Sequence, residues 1–395
     1  MKKTGIVLHT GSLGVFILSP VFATFVAMAA SCHPKRLKHV PEVLVVKCSL
    51  LFVFLQSNRS WQSEQVTDWD VGYASFFRES KFAGWADIFV VSEPLWLLMN
   101  KLGAVVFTSH YEFLTVIASA TLLLGMISIY KFWAYSNRSS MILLSSIALF
   151  LLSTDFLAML NNTVRSFFAL SIVVYGLVRW ITEGKKPTLI LCAAVLVHNF
   201  SFLFLLAYSL GFLERRIDFK FFRLYFVAAL FALVTFPAVV LLATIVDVSV
   251  IGNILGRISG GLTPMDQNAF DPNTVRAQSI AMGAVALASK IHSDYSFESR
   301  NPISNLLIIL LLCSSILVAI MPEIAGRLFA SRWFLIAFVL PYIEVRSNTI
   351  SFLIQFSVVL FSVLNFTLSF DSSIGRDFFG PSSHYLTSSL VGWLE

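Results

Sequence analysis

Long apolar runs separated by short polar segments extend along most of the 395-residue chain. The strongest runs cover residues 111–133, 141–160, 224–246, 303–321, 331–343 and 348–368. All of them except 331–343 are close to one membrane thickness. Hydrophobic residues make up 57% of the chain and charged residues 13%, whereas about a quarter of a soluble domain is charged. The pattern predicts an all-α, polytopic integral membrane protein with about 10–11 transmembrane or re-entrant helices in one membrane domain, residues 1–395.

The N-terminal apolar run, residues 1–30, has two possible interpretations. It could be a signal peptide, since small residues at 28–31 resemble a cleavage site. The run is longer than a typical signal-peptide core and a basic cluster follows it, so we expect an uncleaved first transmembrane helix. Because lysine and arginine stay on the cytoplasmic side, that cluster places residues 31–40 inside and the N-terminus outside.

The polar segments complete the predicted topology. Residues 57–89 mix aromatic and acidic side chains, as in an extracytoplasmic loop at the interface. A Ser-Glu-Pro start signal then opens an interfacial helix at 92–107. Residues 247–275, rich in Gly, Pro, Asn and Asp, form a second predicted extracytoplasmic loop.

Basic residues fix the direction of the central helices. Lys131 and Arg138 lie between two apolar runs and are placed inside, which puts Arg165 at the outer end of the next helix. Arg327 falls on the same outer face only if the weakly apolar segment 276–289 also crosses the membrane.

His198 and Asn199 lie in the middle of an apolar run that has basic residues on both flanks. Two basic flanks conflict with a simple crossing. The run is therefore either a re-entrant or broken pair of half-helices, with the break near His198, or an ordinary crossing with some basic residues outside. An ionisable side chain inside the membrane is costly and suggests a functional site.

Several classes of function are excluded or unsupported. The net charge of +6 is typical of basic cytoplasmic loops, and no basic soluble domain for nucleic-acid binding is present. Four scattered cysteines suggest neither a disulfide framework nor a metal site. No nucleotide-binding fingerprint occurs, which excludes an ATPase domain within this chain.

A series of short motifs between about residues 55 and 345 resembles the EpsG-like family of Wzy-type bacterial exopolysaccharide and O-antigen polymerases. No single motif is specific, and their order and spacing carry the resemblance. The motifs consist of Arg59 with Asp70 and Tyr73, the Glu93-Pro94 helix start, Asn162 and Arg165 heading a helix, His198-Asn199, and Ile324-Ala325-Gly326-Arg327. The chain departs from the family in the Asp70-to-Tyr73 spacing, which is one residue shorter, and in Ser166, where glutamine is common.

The resemblance implies transfer of a growing glycan from a polyprenyl-pyrophosphate carrier onto a lipid-linked repeat unit, at the outer face of the bacterial plasma membrane. It implies no cofactor, and its partners would be membrane lipid and a flippase and chain-length regulator of the same pathway. His198 and Asp70 are the expected catalytic residues, because removal of a proton from the acceptor hydroxyl needs a base. The expected substrate-binding residues are Arg59, Tyr73, Glu93, Asn162, Arg165, Asn199 and Arg327.

Arginine suits the pyrophosphate leaving group, being permanently charged and able to bind phosphate bidentately, so no metal is required. The composition fits a flippase or secondary transporter for a lipid-linked or amphipathic solute equally well. Ligation of a finished glycan by similar chemistry is a further alternative. The outer aromatic loop and the arginines on one face favour the polymerase.

Overall fold

The computed structural model of the protein describes residues 16–31, 40–57, 72–89, 91–153, 160, 163–213, 282–283, 301–317, 322–343 and 348–370. Over these ranges the backbone forms α-helices and short 3-10 turns without any β-strand, which confirms the predicted all-α fold. The helices are α1 (Pro20–Ser31), α2 (Val40–Ser57), α3 (Ala74–Phe82), α4 (Pro94–Val106), α5 (His110–Ser136), α6 (Ser140–Leu151), α7 (Val164–Glu183), α8 (Thr188–Val197), α9 (Phe202–Ser209), α10 (Pro302–Leu317), α11 (Pro322–Ala330), α12 (Arg332–Leu335) and α13 (Asn348–Phe370).

Three of the described helices are long and apolar enough to cross a membrane. They are α5, α7 and the segment Thr349–Thr367 of α13. Several shorter apolar helices, among them α4, α6, α8 and α10, accompany them. The chain is therefore a helical membrane protein. The predicted loop 247–275 and the predicted crossing at 276–289 lie outside the described residues, apart from 282–283.

Helices α5 and α7 pack against each other and run parallel. Phe113 of α5 and Val164 of α7 belong to the same core cluster near the N-terminal ends. Near the C-terminal ends, Lys131 of α5 pairs with Glu183 of α7. The helix ends are defined locally: Ser109 and Glu112 form a capping box at the start of α5.

The α5–α6 contact depends on a glycine. A Cβ atom on Gly125 of α5 would lie 2.2 Å from the Cζ atom of Phe150 on α6, whose side chain is fully buried. Small residues at this kind of interface allow membrane helices to approach closely.

The apolar run around His198 is a broken helix. Helix α8 ends at Val197, His198 is extended (φ −153°, ψ 124°), and a 3-10 turn at Asn199–Ser201 leads into α9. In a continuous helix the Asn199 amide would bond to the carbonyl four residues earlier, but here it donates to the Glu93 carboxylate. Of the two predicted alternatives, the broken pair is the one found.

Helix α4 corresponds to the helix predicted at 92–107. Its buried face consists of Trp96, Leu97, Asn100 and Gly103. Leu102, Val105 and Val106 point away from the protein and are exposed by 51%, 82% and 72%. The helix therefore has one face packed on the protein and an apolar edge directed outward.

The predicted apolar segment 331–343 is not one continuous helix. Helix α12 ends at Leu335, and the 3-10 turns Ile336–Phe338 and Leu340–Tyr342 follow. Pro341 explains part of the interruption, because proline has no backbone N–H and disfavours helical backbone at the preceding residue.

The chain forms two compact units, one of Met1–Leu206 with Ile336–Glu395 and the other of Ala207–Leu335. The first contains α1 to α8 and α13. Within the second, α10 and α11 are joined by a hydrogen bond of 2.8 Å from Ser314 Oγ to the Ala325 carbonyl.

Candidate active site

Glu93 precedes the first turn of α4 and is the centre of a polar cluster. Pro94 occupies the first helical position, where its fixed φ suits a helix start. The Glu93 side chain makes no capping bond to its own helix. It is 11% exposed, and its carboxylate instead accepts hydrogen bonds from two later segments of the chain.

Arg165, in the first turn of α7, is the first partner. Its Nη1 donates to Glu93 Oε2 at 2.5 Å, and its side chain remains 30% exposed. The Nε atom is buried and has no hydrogen-bond partner among the described residues. One edge of the guanidinium is therefore fixed by Glu93, and donor capacity is left for an anionic ligand.

The helix break supplies the other partners. His198 Nδ1 lies 2.6 Å from Glu93 Oε1, and the Asn199 amide donates to the same oxygen at 3.2 Å. His198 is 6% exposed. The contact between Nδ1 and Glu93 fixes the orientation of the imidazole ring.

Tyr73 supports the cluster from the N-terminal side of α3. Its hydroxyl accepts a hydrogen bond of 3.4 Å from the backbone N–H of Arg165, one of the amides that a helix start leaves unpaired. The Tyr73 ring packs edge-on against Trp96, with centroids 5.9 Å apart. Trp96 belongs to an apolar core beneath the site that also contains Val164 and Val197, so α4, α7 and α8 are held together there.

The environment keeps the Glu93 carboxyl ionised. Burial alone would raise its pKa, but the hydrogen bond from His198, the positive charge of Arg165 and the Asn199 amide lower it by more. The pKa of Glu93 therefore lies below its usual range.

The structure thus brings together five of the residues predicted from the sequence, which we call the Glu93 site: Tyr73, Glu93, Arg165, His198 and Asn199. Arg59, Asp70 and Asn162 lie outside the described residues. Arg327 lies in α11, in the second unit, and its side chain is likewise not described.

Helix α7 carries a second polar cluster at its opposite end, which we call the Glu183 cluster. Glu183 pairs with Lys131 at 2.9 Å, with Arg179 at 3.3 Å and with Lys185 at 2.9 Å. Three cations around one carboxylate leave this end of α7 positively charged.

Sequence reasoning missed Arg332, five residues after Arg327. Arg332 is 4% exposed, and its guanidinium lies over the Phe329 ring, 3.2 Å from the centroid. Its Nη1 donates to the Phe329 carbonyl at 2.7 Å. A charged residue inside an aromatic apolar run is the signal that could have identified it.

Comparison with known proteins identifies the family. The EpsG family model matches residues 45–379, which is most of the chain and includes the whole Glu93 site. No curated protein and no solved structure matches the chain. The chain belongs to the EpsG family, and this membership gives it a polymerase-type, glycosyltransferase-like role in polysaccharide synthesis.

Proposed function

We propose that the protein transfers a growing glycan from a polyprenyl-pyrophosphate carrier onto a lipid-linked repeat unit, at the outer face of the bacterial plasma membrane. The observation that carries this proposal is the Glu93 site, where an arginine and a histidine share one buried carboxylate. Such a site offers a cation for a phosphate leaving group and a base for an acceptor hydroxyl, which are the two requirements of the reaction.

Arg165 would bind the pyrophosphate. During transfer, the bond between the anomeric carbon and the pyrophosphate oxygen breaks, and negative charge develops on the departing carrier. The guanidinium edge that Glu93 does not occupy can donate to those oxygens. Because Glu93 holds Arg165 in place, this charge is oriented before the substrate arrives.

His198 would act as the general base. The acceptor hydroxyl oxygen forms the new bond to the anomeric carbon, and its proton passes to His198 Nε2. Glu93 stabilises the imidazolium that results, since Glu93 Oε1 lies 2.6 Å from Nδ1. The helix break supports the arrangement, because the Asn199 amide fixes the same carboxylate oxygen.

The position of the site along α7 supports an outer location. Arg165 and Glu183 are 18 positions apart, about 27 Å at the helical rise, close to the thickness of the hydrocarbon core. The positively charged Glu183 cluster would stay in the cytoplasm. The Glu93 site would then face outward, where a flipped lipid-linked repeat unit is available.

Transport of a lipid-linked solute is the second candidate, and the broken helix at His198 favours it. Discontinuous helices with polar groups at the break are typical of transporter binding sites. A transporter and a polymerase differ in the intermediates that accumulate when the protein is inactive.

Complementation of a deletion strain separates these functions. The strain would express wild type, Arg165→Ala, Arg165→Lys or His198→Ala at matched membrane levels, with surface glycan sized on gels and lipid-linked intermediates extracted. Arg179→Ala is the matched control, because it removes an ion-paired arginine from the opposite end of the same helix.

A polymerase predicts single repeat units in place of long chains for the deletion, Arg165→Ala and His198→Ala, and normal polymer for Arg179→Ala. Partial activity of Arg165→Lys would show that a positive charge at this position supports some of the reaction. Complete loss of activity in Arg165→Lys would indicate that bidentate phosphate binding is required. Intermediates trapped on the cytoplasmic face would favour a transporter. Long polymer that is not attached to its final acceptor would favour a ligase.

A further inference from the structure

Two large aromatic side chains stand exposed at the end of α3 and in the segment that follows it. Phe82, the last residue of α3, is 85% exposed, and Trp85 is 63% exposed. Exposed aromatic patches of this kind usually mark binding surfaces.

The Trp85 indole is held in place. The Lys101 ammonium of α4 lies over the ring, 5.0 Å from its centroid, and also donates to the Ala83 carbonyl. The Gly84 amide donates to Asp87 Oδ2 at 2.6 Å, which fixes the turn that carries Trp85. The lysine thus covers part of a preorganised ring whose remaining surface is open to a ligand.

The surroundings of this patch are charged. Arg78, Glu79 and Lys81 of α3 are exposed, as is Asp87 in the following turn. Four charged side chains in so short a segment belong in water, because burying them in lipid would be costly. The segment that carries the indole is therefore expected to lie in or next to water, where a polar ligand can reach the ring.

The distance to the Glu93 site suits an oligosaccharide. Lys101 follows Glu93 by eight residues along α4, which is about 12 Å at the helical rise. This rise separates Glu93 from the residue that holds Trp85, so there is room for a short glycan whose reacting end lies at the Glu93 site. A pyranose ring presents an apolar C–H face that can stack on an indole, and the Asp87 carboxylate beside it can accept sugar hydroxyl donors.

We propose that Trp85, held by Lys101, forms a subsite that binds the glycan portion of the lipid-linked substrate. The proposal rests on the proposed function, and it assigns Trp85 to binding rather than to chemistry. The subsite would align the glycan while Arg165 and His198 act on its end.

Binding to the purified full-length protein in nanodiscs tests the subsite. The probe is the oligosaccharide mixture released by mild acid from the lipid-linked intermediates of the host strain, with affinity measured by calorimetry. Trp85→Ala should weaken binding roughly tenfold, a loss typical of one aromatic contact, and Trp85→Phe should restore much of it. Val105→Ala, a change at an exposed apolar position of α4, should bind like wild type.

Unchanged binding by Trp85→Ala, or no binding by wild type, would overturn the subsite. A membrane role of Trp85 is detected separately, by fluorescence quenching with brominated lipid. The Trp85 signal is the fluorescence that wild type has and Trp85→Phe lacks. Strong quenching of that signal would place the indole in the bilayer and would also overturn the subsite. The polymer assay on Arg165→Ala distinguishes this failure from failure of the proposed function, since chains would still shorten in that variant if only the subsite were wrong.

Discussion

Glu93 connects the residues of the site more than any other side chain. Its two carboxylate oxygens accept from Arg165 and from the Asn199 amide and contact the His198 ring. In the proposed reaction this carboxylate would be a positioning residue, holding the cation and setting which imidazole nitrogen is presented to the substrate. Its effect on the reaction would be indirect, through Arg165 and His198.

The Glu93→Gln variant tests this role. The amide keeps the size of the side chain but loses the charge that orients Arg165 and stabilises the imidazolium, so we expect polymer synthesis in isolated membranes to fall on the order of 100-fold. The shape of the pH–rate profile should change as well. Glu183→Gln is the matched control, since Glu183 also pairs with several cations. Equal losses in both variants would contradict a specific role for Glu93.

The same variant measures how much the Glu93 charge contributes to the stability of the folded protein and how that contribution depends on pH. Because the pKa of Glu93 is lowered in the folded protein, its ionised form contributes stability above the unfolded-state pKa, about 4.3. That contribution is lost as the pH falls through the folded-state value. The difference in Tm between wild type and Glu93→Gln should be present above the unfolded-state pKa and should shrink as the pH falls below it. A difference that persists at low pH would show that Glu93 acts through something other than its charge.

The sequence identified these side chains but not how they combine. Arg165 and His198 could be selected because ionisable residues are rare in apolar runs, and Glu93 because it begins a helix before proline. Glu93 is predicted to contact substrate, and that stays a prediction; the contacts of its carboxylate with Arg165 and His198 are what the sequence did not indicate. Those contacts join residues 72 and 105 positions apart, so no local pattern encodes them.

Hydrophobic patterning predicted the long helices well and the interrupted ones less well. Helices α5 and α13 lie close to the runs at 111–133 and 348–368, because a membrane requires uniform apolar length. The break at His198 occurs in a run without glycine or proline between 197 and 202. It depends instead on a tertiary hydrogen bond from Asn199 to Glu93, so the sequence could only leave it as one of two alternatives.

The close packing of α5 against α6 predicts the effect of a substitution at Gly125. Gly125→Ala would place a methyl group 2.2 Å from the buried Phe150 ring, so the ring or one of the two helices must shift. We expect a loss of roughly 1–3 kcal/mol, seen as a lower Tm of the purified protein. Gly72→Ala is the control, since a Cβ there meets nothing within 4 Å. A wild-type Tm for Gly125→Ala would mean that the two helices are further apart in the membrane.

For the molecule as a whole, the distribution of charge along α7 is the feature that predicts its orientation in the membrane. The Glu93 site pairs two cationic or titratable side chains with one carboxylate, whereas the Glu183 cluster gathers three cations around one. Combined with the positive-inside rule, this asymmetry predicts that the Glu183 end of α7 lies on the cytoplasmic side. The prediction uses Lys131, which the sequence pattern also places on the inner side, and it does not depend on the segment 276–289.

Cysteine labelling tests that orientation. In a chain whose four cysteines are replaced by serine, Glu79→Cys and Lys186→Cys would each introduce one exposed thiol. We expect a membrane-impermeant maleimide to label Glu79→Cys in intact spheroplasts, because α3 adjoins the Glu93 site. Lys186→Cys should be labelled only after lysis, because it follows the Glu183 cluster. Both variants must still make polymer, which shows that the label reports the native topology.

The reverse pattern would place the Glu93 site in the cytoplasm. A polymerase acting on flipped repeat units could not then use Arg165 and His198, and the proposed function would be wrong even if both residues proved essential. Labelling of both thiols in intact cells would instead mean that α7 does not span the bilayer. Its length of 20 residues and its two polar ends argue against that outcome, since a helix so built satisfies both interfaces only when it crosses.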